Sequence, residues 1–295
     1  MILQVLRIWM QAIRIRFLVA SAIAVTNGIT LAFWKYKSFD PFYIALTFTG
    51  VICLHASVDL LNEYSDFKRG IDMITKRTKY SGGTGVLPEN LLSPKIVYRV
   101  GLIFLLLGSI IGLYFVAVRG VTIIIILAFA IIAIYFYSTS IVNSGLGEVF
   151  VAIKGTMIVL GTFYVQTGVI EPIAIYIGVI VGILSASVLF VNSFPDYDAD
   201  HYYGRRTLVI LLGKQHASKI FPLLIMIPFA LVVIGIFLGY TKIFSLACFA
   251  AMPYAIKAGK DIVKYENIDK FVPAMAATVM YARITGFILA ISLVL

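Results

Sequence analysis

Nine apolar runs, each close to the thickness of a lipid bilayer when helical, follow one another along these 295 residues. A helix needs about 20 mostly apolar residues to cross the hydrocarbon core, where only its own hydrogen bonds can satisfy its backbone. The runs lie near 15–34, 42–62, 96–118, 120–139, 146–166, 172–194, 219–240, 242–258 and 272–295. With 61% hydrophobic and only 13% charged residues, a soluble domain of this length would lack polar surface. The fold class expected is an all-α polytopic membrane protein with nine transmembrane helices in a single bundle, forming one domain over 1–295. The first run follows Arg7, Arg14 and Arg16 and is long enough to span, so it reads as a retained helix and not as a cleaved leader.

Charge is distributed unevenly along this pattern. If every run crosses once, residues 1–14, 63–95, 195–218 and 257–271 share one side. With the adjoining helix ends, that side collects eighteen of the 24 basic residues, against four on the other. The positive-inside rule makes it cytoplasmic and the protein a multi-pass component of the cell membrane. The net charge of +10 is then largely a property of the cytoplasmic face, suited to anionic headgroups or an anionic substrate; no nucleic-acid partner is expected. Cys53 and Cys248 both lie within apolar runs and read as small core side chains. Three histidines are too few for an imidazole-built metal centre, so a metal here needs oxygen ligands.

Two acidic bursts fall on that same side, 62-NEYSDFKRGID-72 after the second run and 192-NSFPDYDAD-200 after the sixth. Asn62 and Asp66 are four residues apart, as are Asn192, Asp196 and Asp200. Residues four apart stack on one helix face, so each helix end presents an amide-then-carboxylate ladder, with Asp72 reachable beyond Gly70. Clustered carboxylates at membrane depth repel one another unless cations offset them. Mg²⁺ is the natural partner, held by one or two carboxylates plus phosphate oxygens. Arg69 shares the face of Asp66, Lys68, Arg205 and Arg206 flank the clusters, and 81-SGGTG-85 lies between them and the third run. Carboxylate pairs, a hard cation and surrounding bases together describe a diphosphate site. Asp198 points away from the ladder; Asp59 and Glu148 are weaker candidates, and His55 reads as a packed core histidine.

At these residues the chain resembles the UbiA superfamily of intramembrane prenyltransferases over nearly its whole length. The resemblance is carried by Asn62, Asp66 and Asp72 in the first burst, by Asp196 and Asp200 in the second, and by 204-GRRTL-208. The spacing of Asp72, the phrase DFKRGID and 145-GLGEVFVAIKGTMIVLGTFYVQTG-168 look like the menaquinone branch, and Arg14 matches an early arginine there. Two features depart from the family: Ile15 stands where a proline is usual, and 135-YFYSTSIVN-143 lacks the base often found in the fourth span. Lys154 in the fifth run is the expected replacement.

The resemblance implies a cytoplasmic cap over a central cavity, and transfer of an isoprenyl chain from a polyprenyl diphosphate, such as geranylgeranyl diphosphate, to an aromatic or lipid acceptor. Two Mg²⁺ ions would be held by Asn62, Asp66, Asp72, Asp196 and Asp200. Arg14, Lys68, Lys154 and Arg205 would bind the diphosphate, Asp66, Asp196, Arg69 and Tyr137 would act in catalysis, and Tyr64, Tyr135 and Tyr197 are further candidates to face the allylic cation. The favoured acceptor is 1,4-dihydroxy-2-naphthoate, with 4-hydroxybenzoate and geranylgeranylglyceryl phosphate as alternatives. The rival from another class, a cation or organic-anion transporter, would spread its acids towards both faces, whereas the opposite half holds only Asp40 and Glu171.

Overall fold

A computed structural model describes residues 2–295. It is helical throughout, with no strand among the described residues. A short helix α1 (Ile2–Ala12) turns through Arg14, in the left-handed region at φ 47°, into α2 (Ile15–Tyr36). There follow α3 (Pro41–Arg69), a single turn α4 (Ile71–Ile74), α5 (Pro94–Arg119), α6 (Thr122–Phe136), α7 (Gly147–Thr167), α8 (Pro172–Tyr202), a short α9 (Leu208–Leu212) and α10 (Lys214–Phe237). A 3₁₀ stretch, Ile243–Ala251, leads into α11 (Met252–Asp261), and α12 (Ile268–Val294) ends the fold.

Seven of these helices, α2, α3, α5, α7, α8, α10 and α12, are long and apolar enough to cross a membrane. The two other stretches expected to span are shorter, broken helices. Residues 120–139 become α6 continued by a π-helical turn, Tyr137–Ile141, and 242–258 becomes the 3₁₀ stretch running into α11. The expected break near residue 119 is real: Gly120 takes φ +90° and ends α5. Around the bundle, Ile103, Leu106, Ile110, Ile125 and Leu223 point outward, as a lipid-facing surface requires.

The helix ends follow local chemistry. Proline opens α3, α5 and α8, where its missing N–H costs nothing. Asp40 caps α3 by accepting from the amides of Phe42 and Tyr43. Gly70, at φ +85°, closes α3 and lets the chain turn directly into α4. Helices α7 and α8 approach without side chains between them: a Cβ on Gly155 would stand 2.7 Å from the Cα of Gly182.

The large apolar core joins α8, α10, α11 and α12 through Phe190, Phe194, Phe221, Phe271 and Tyr281, and a second core joins α2, α7, α8 and α12. Both reach the cavity wall, through Leu184 of the first and Ala24 and Val181 of the second. The cavity, of about 410 Å³, is walled by α2, α3, α5, α6, α7, α8 and α12, and α10 and α11 contribute nothing to its lining among the described residues.

Candidate active site

Helices α3 and α8 run past their apolar spans, to Arg69 and Tyr202, and both acidic ladders ride on these extensions. The two helix ends meet at the mouth of the cavity, where Asn62, Asp66, Asp72, Asn192, Asp196 and Asp200 all contribute to the wall.

Arg205 joins them. Its guanidinium reaches Asp66 Oδ1 at 2.5 Å, Asn62 Oδ1 at 3.2 Å and Asp200 Oδ1 at 3.3 Å. Asn62 in turn donates to Asp66 Oδ2 at 2.8 Å, the i, i+4 contact that the spacing implies. Burial works against the charge of Arg205, but Asp66 and Asp200 outweigh it and hold its pKa above the ordinary value. Arg14, also lining the cavity, donates to Glu63 Oε2 at 3.2 Å.

The stretch 81-SGGTG-85 folds over the mouth. Gly82 N donates to Asp196 Oδ2 at 3.3 Å, and the amide and hydroxyl of Thr84 donate to Glu63. Gly83, at φ +73°, packs so tightly on Asp72 that a Cβ would lie 2.5 Å from its Oδ1. Glu63 is completely buried and ties α3 to both Arg14 and this loop. The sequence reading passed over Glu63, although it lies beside Asn62 in the same burst. A buried acid one residue away from a ligand face is the signal that would have found it.

Several expectations land elsewhere. Lys68 is exposed, with its ammonium over the ring of Tyr64 and no part in the cavity wall, because it sits on the outer face of α3. Arg69 is beside the cavity and not in its lining; it binds Asn143 Oδ1 at 3.2 Å and the Tyr203 carbonyl at 2.9 Å. Of the four tyrosines, only Tyr137 lines the cavity. Tyr64 packs on Tyr98, Tyr135 is 50% exposed, and Tyr197 stacks on His201. Asp198 is outward and pairs with Lys214, as its spacing required. Lys154 does line the cavity, together with Asp59, His55 and Glu148.

The donor set suits a hard cation. Asp72 Oδ2, Asp196 Oδ1 and Asn192 Oδ1 are buried without a hydrogen-bond partner, an expensive state for polar atoms unless another ligand meets them. Burial lifts the Asp72 carboxyl to about 7, with Glu63 and Asp66 adding to the effect and Arg14 and Arg205 opposing it. Among the described residues no group of three or more His, Cys, Asp or Glu side chains is gathered closely enough to hold a metal ion by itself.

Helix ends carrying opposed carboxylates, with an arginine crossing between them, thus stand over a largely apolar chamber. The chain belongs to the UbiA prenyltransferase family, whose model matches residues 19–284. Among its relatives is 1,4-dihydroxy-2-naphthoate octaprenyltransferase of Bacillus subtilis, 27% identical over 289 residues that cover 97% of this chain and 91% of that protein. The enzyme of the same name from Escherichia coli is 24% identical over 97% of this chain and 95% of its own length. The human UbiA prenyltransferase domain-containing protein 1 is 24% identical over 71% of this chain and 62% of that protein. The fold is that of a UbiA homologue from Archaeoglobus fulgidus bound to GPP and Mg²⁺, with TM-score 0.63 at 14% identity over 97% of this chain and 99% of that one. A UbiA homologue from Aeropyrum pernix gives TM-score 0.67 at 15% identity over 90% and 94%. The protein is thus a multi-pass intramembrane transferase of this family.

Proposed function

We propose that the protein transfers an isoprenyl chain from a polyprenyl diphosphate to 1,4-dihydroxy-2-naphthoate, the acceptor named for its bacterial relatives at 24% and 27% identity. The observation that carries this reading is the mouth of the cavity: two acidic helix ends crossed by Arg205, with unpartnered oxygens on Asp72 and Asp196, above an apolar chamber. Asn62, Asp66, Asp72, Asp196 and Asp200 would hold two Mg²⁺ ions. When bound there, the metal supplies charge neutralisation for the departing diphosphate. Arg14 and Arg205 lend charge-assisted hydrogen bonds to its oxygens. The loop 81–85 covers the mouth and limits water, and Tyr137 turns its ring towards the chamber in which an allylic cation would form. Arg69 works from outside, by fixing the end of α3 against the segment after α8.

In this reading residues 1–295 form one unit that crosses the membrane nine times, with the acidic end cytoplasmic. The broken helices have the reach for it: 3₁₀ and α segments run without interruption from Ile243 to Lys264, roughly 40 Å at 2.0 and 1.5 Å per residue.

The test is transfer from labelled geranylgeranyl diphosphate to a panel of acceptors, using purified protein in lipid with and without Mg²⁺. Prenylated naphthoate formed only with Mg²⁺ is the expected product. Product on 4-hydroxybenzoate or geranylgeranylglyceryl phosphate alone would overturn the acceptor, and turnover by Asp66→Ala or Asp196→Ala would overturn the site.

A further inference from the structure

Below the carboxylate ladder the cavity has one polar wall. On α3, His55 and Asp59 continue the face of Asn62 and Asp66 downward, at eleven and seven residues from Asp66, or roughly 16 and 10 Å along the axis. Lys154 enters from α7 at matching depth, seven residues from the helix start. Lys154, Asp59 and His55 line the same cavity, near enough for the charge of Lys154 to act on both of the others. Ser21 of α2 completes the group, its Oγ 2.7 Å from His55 Nδ1, while His55 Nε2 stands 3.8 Å from Asp59 Oδ2. That carboxylate oxygen is buried and has no hydrogen-bond partner. Much of the remaining lining, including Ile111, Leu127, Phe129 and Ile158, is apolar.

This wall is wasted on an isoprenyl tail. A hydrocarbon chain laid against Lys154, Asp59 and His55 would strip their water and return no hydrogen bond. The diphosphate has its own base in Arg205, which bonds Asn62, Asp66 and Asp200, whereas the acid whose charge bears on Lys154 is Asp59, which also lies in the field of Arg14. A flat arene bearing an anion and a hydroxyl matches the wall point for point: a cation for the anion, an unpartnered carboxylate oxygen for the O–H, and apolar surface opposite for the ring.

We infer that Lys154, Asp59 and His55 form the acceptor subsite, in which Lys154 pairs with the anionic group of a hydroxyarene carboxylate and Asp59, steadied by the Ser21–His55 pair, accepts from its hydroxyl. The inference rests on the proposed prenyl transfer to an aromatic acid, and it moves Lys154 from the diphosphate, where the sequence put it, to the acceptor. Lys154 and Asp59 are binding residues here; His55 is a positioning residue.

The test is direct binding to the purified full chain in lipid nanodiscs, with two probes measured separately. One is 1-hydroxy-2-naphthoate, followed by its own fluorescence and compared with 1-naphthol, which lacks the carboxylate. The other is geranyl diphosphate with Mg²⁺. The wild type should prefer the carboxylate by at least about tenfold. Lys154→Gln should erase that preference and leave diphosphate binding within about twofold. Asp59→Asn with Lys154→Gln removes both charges together and covers the case in which a lone buried carboxylate unfolds the single variant. No preference for the carboxylate in the wild type, or a Lys154→Gln defect confined to the diphosphate, would overturn the subsite. A wild type that prenylates the naphthoate while Lys154→Gln keeps the same acceptor KM would sink the subsite alone. A wild type that discriminates through Lys154 yet forms no prenylated naphthoate would sink the transfer reading and leave the subsite to another aromatic acid.

Discussion

Arg205→Met asks what holds two carboxylates together at the mouth of an apolar cavity. The guanidinium lies 2.5 Å from Asp66 and 3.3 Å from Asp200, and those two side chains are only 5% and 4% exposed. Met keeps much of the length and packing but removes the one guanidinium that bonds both acids, leaving them only the more distant charges of Arg69 and Arg14. Breaking a buried, hydrogen-bonded ion pair from one side costs about 3–5 kcal/mol. At about 2–4 °C per kcal/mol for a chain of this size, the melting temperature of the metal-free protein should fall on the order of 10 °C. A divalent cation can take over the neutralising role, so Mg²⁺ should stabilise the Met variant more than the wild type, in which it competes with Arg205. Turnover should drop by about a hundredfold or more even in saturating Mg²⁺, because the diphosphate loses a forked donor. Arg205→Lys should recover most of the stability and little of the turnover, since an ammonium cannot reproduce the fork. The assay is thermal unfolding in detergent with chelator or Mg²⁺, run beside the transfer reaction. Equal melting of wild type and Met variant in chelator, with the same Mg²⁺ increment in both, would refute the reasoning.

Four further outcomes follow from the same geometry. Gly83→Ala forces a Cβ to within 2.5 Å of Asp72 Oδ1 at φ +73°, so the metal requirement should rise at least about tenfold with membrane insertion unchanged, measured as the Mg²⁺ dependence of turnover. Asp72 carries a carboxyl lifted to about 7 in the metal-free protein, and Mg²⁺ binds the ionised form. Apparent Mg²⁺ affinity should therefore climb as pH rises through about 7 and flatten above it, and Asp72→Asn should remove that climb; a titration at several pH values checks it. Glu63→Gln, at a fully buried position holding Arg14 and Thr84, should cost about 2 kcal/mol of stability and loosen the 81–85 loop to protease. Lys68→Ala, on the exposed face of α3, should change neither stability nor turnover measurably.

How much of this was legible beforehand depends on whether a feature is periodic or made by meeting. Hydropathy found the seven long apolar helices because it is a local average over contiguous residues. It placed the ends of α3 and α8 too early, at 62 and 194, because hydropathy stops at the first charges while the helix continues to Arg69 and Tyr202 on its capping and its packing. The i, i+4 ladders were readable for the same reason, and Asn62 does bond Asp66.

The sequence by itself determined a helical membrane protein with paired acidic helix ends on its basic side, because those properties follow from composition and from the 3.6-residue repeat. Only the tertiary structure decided which charge meets which. It set Arg205 across two helices, folded 81-SGGTG-85 onto Asp196 and Glu63, turned Lys68 outward, and lowered Lys154 to the depth of Asp59. Each of those outcomes is a contact between residues far apart in the chain, or the direction of one side chain on a helix whose rotation is set by its neighbours. A local pattern holds no information about either, because the energy that fixes them is that of burying polar groups against one another after the helices have packed.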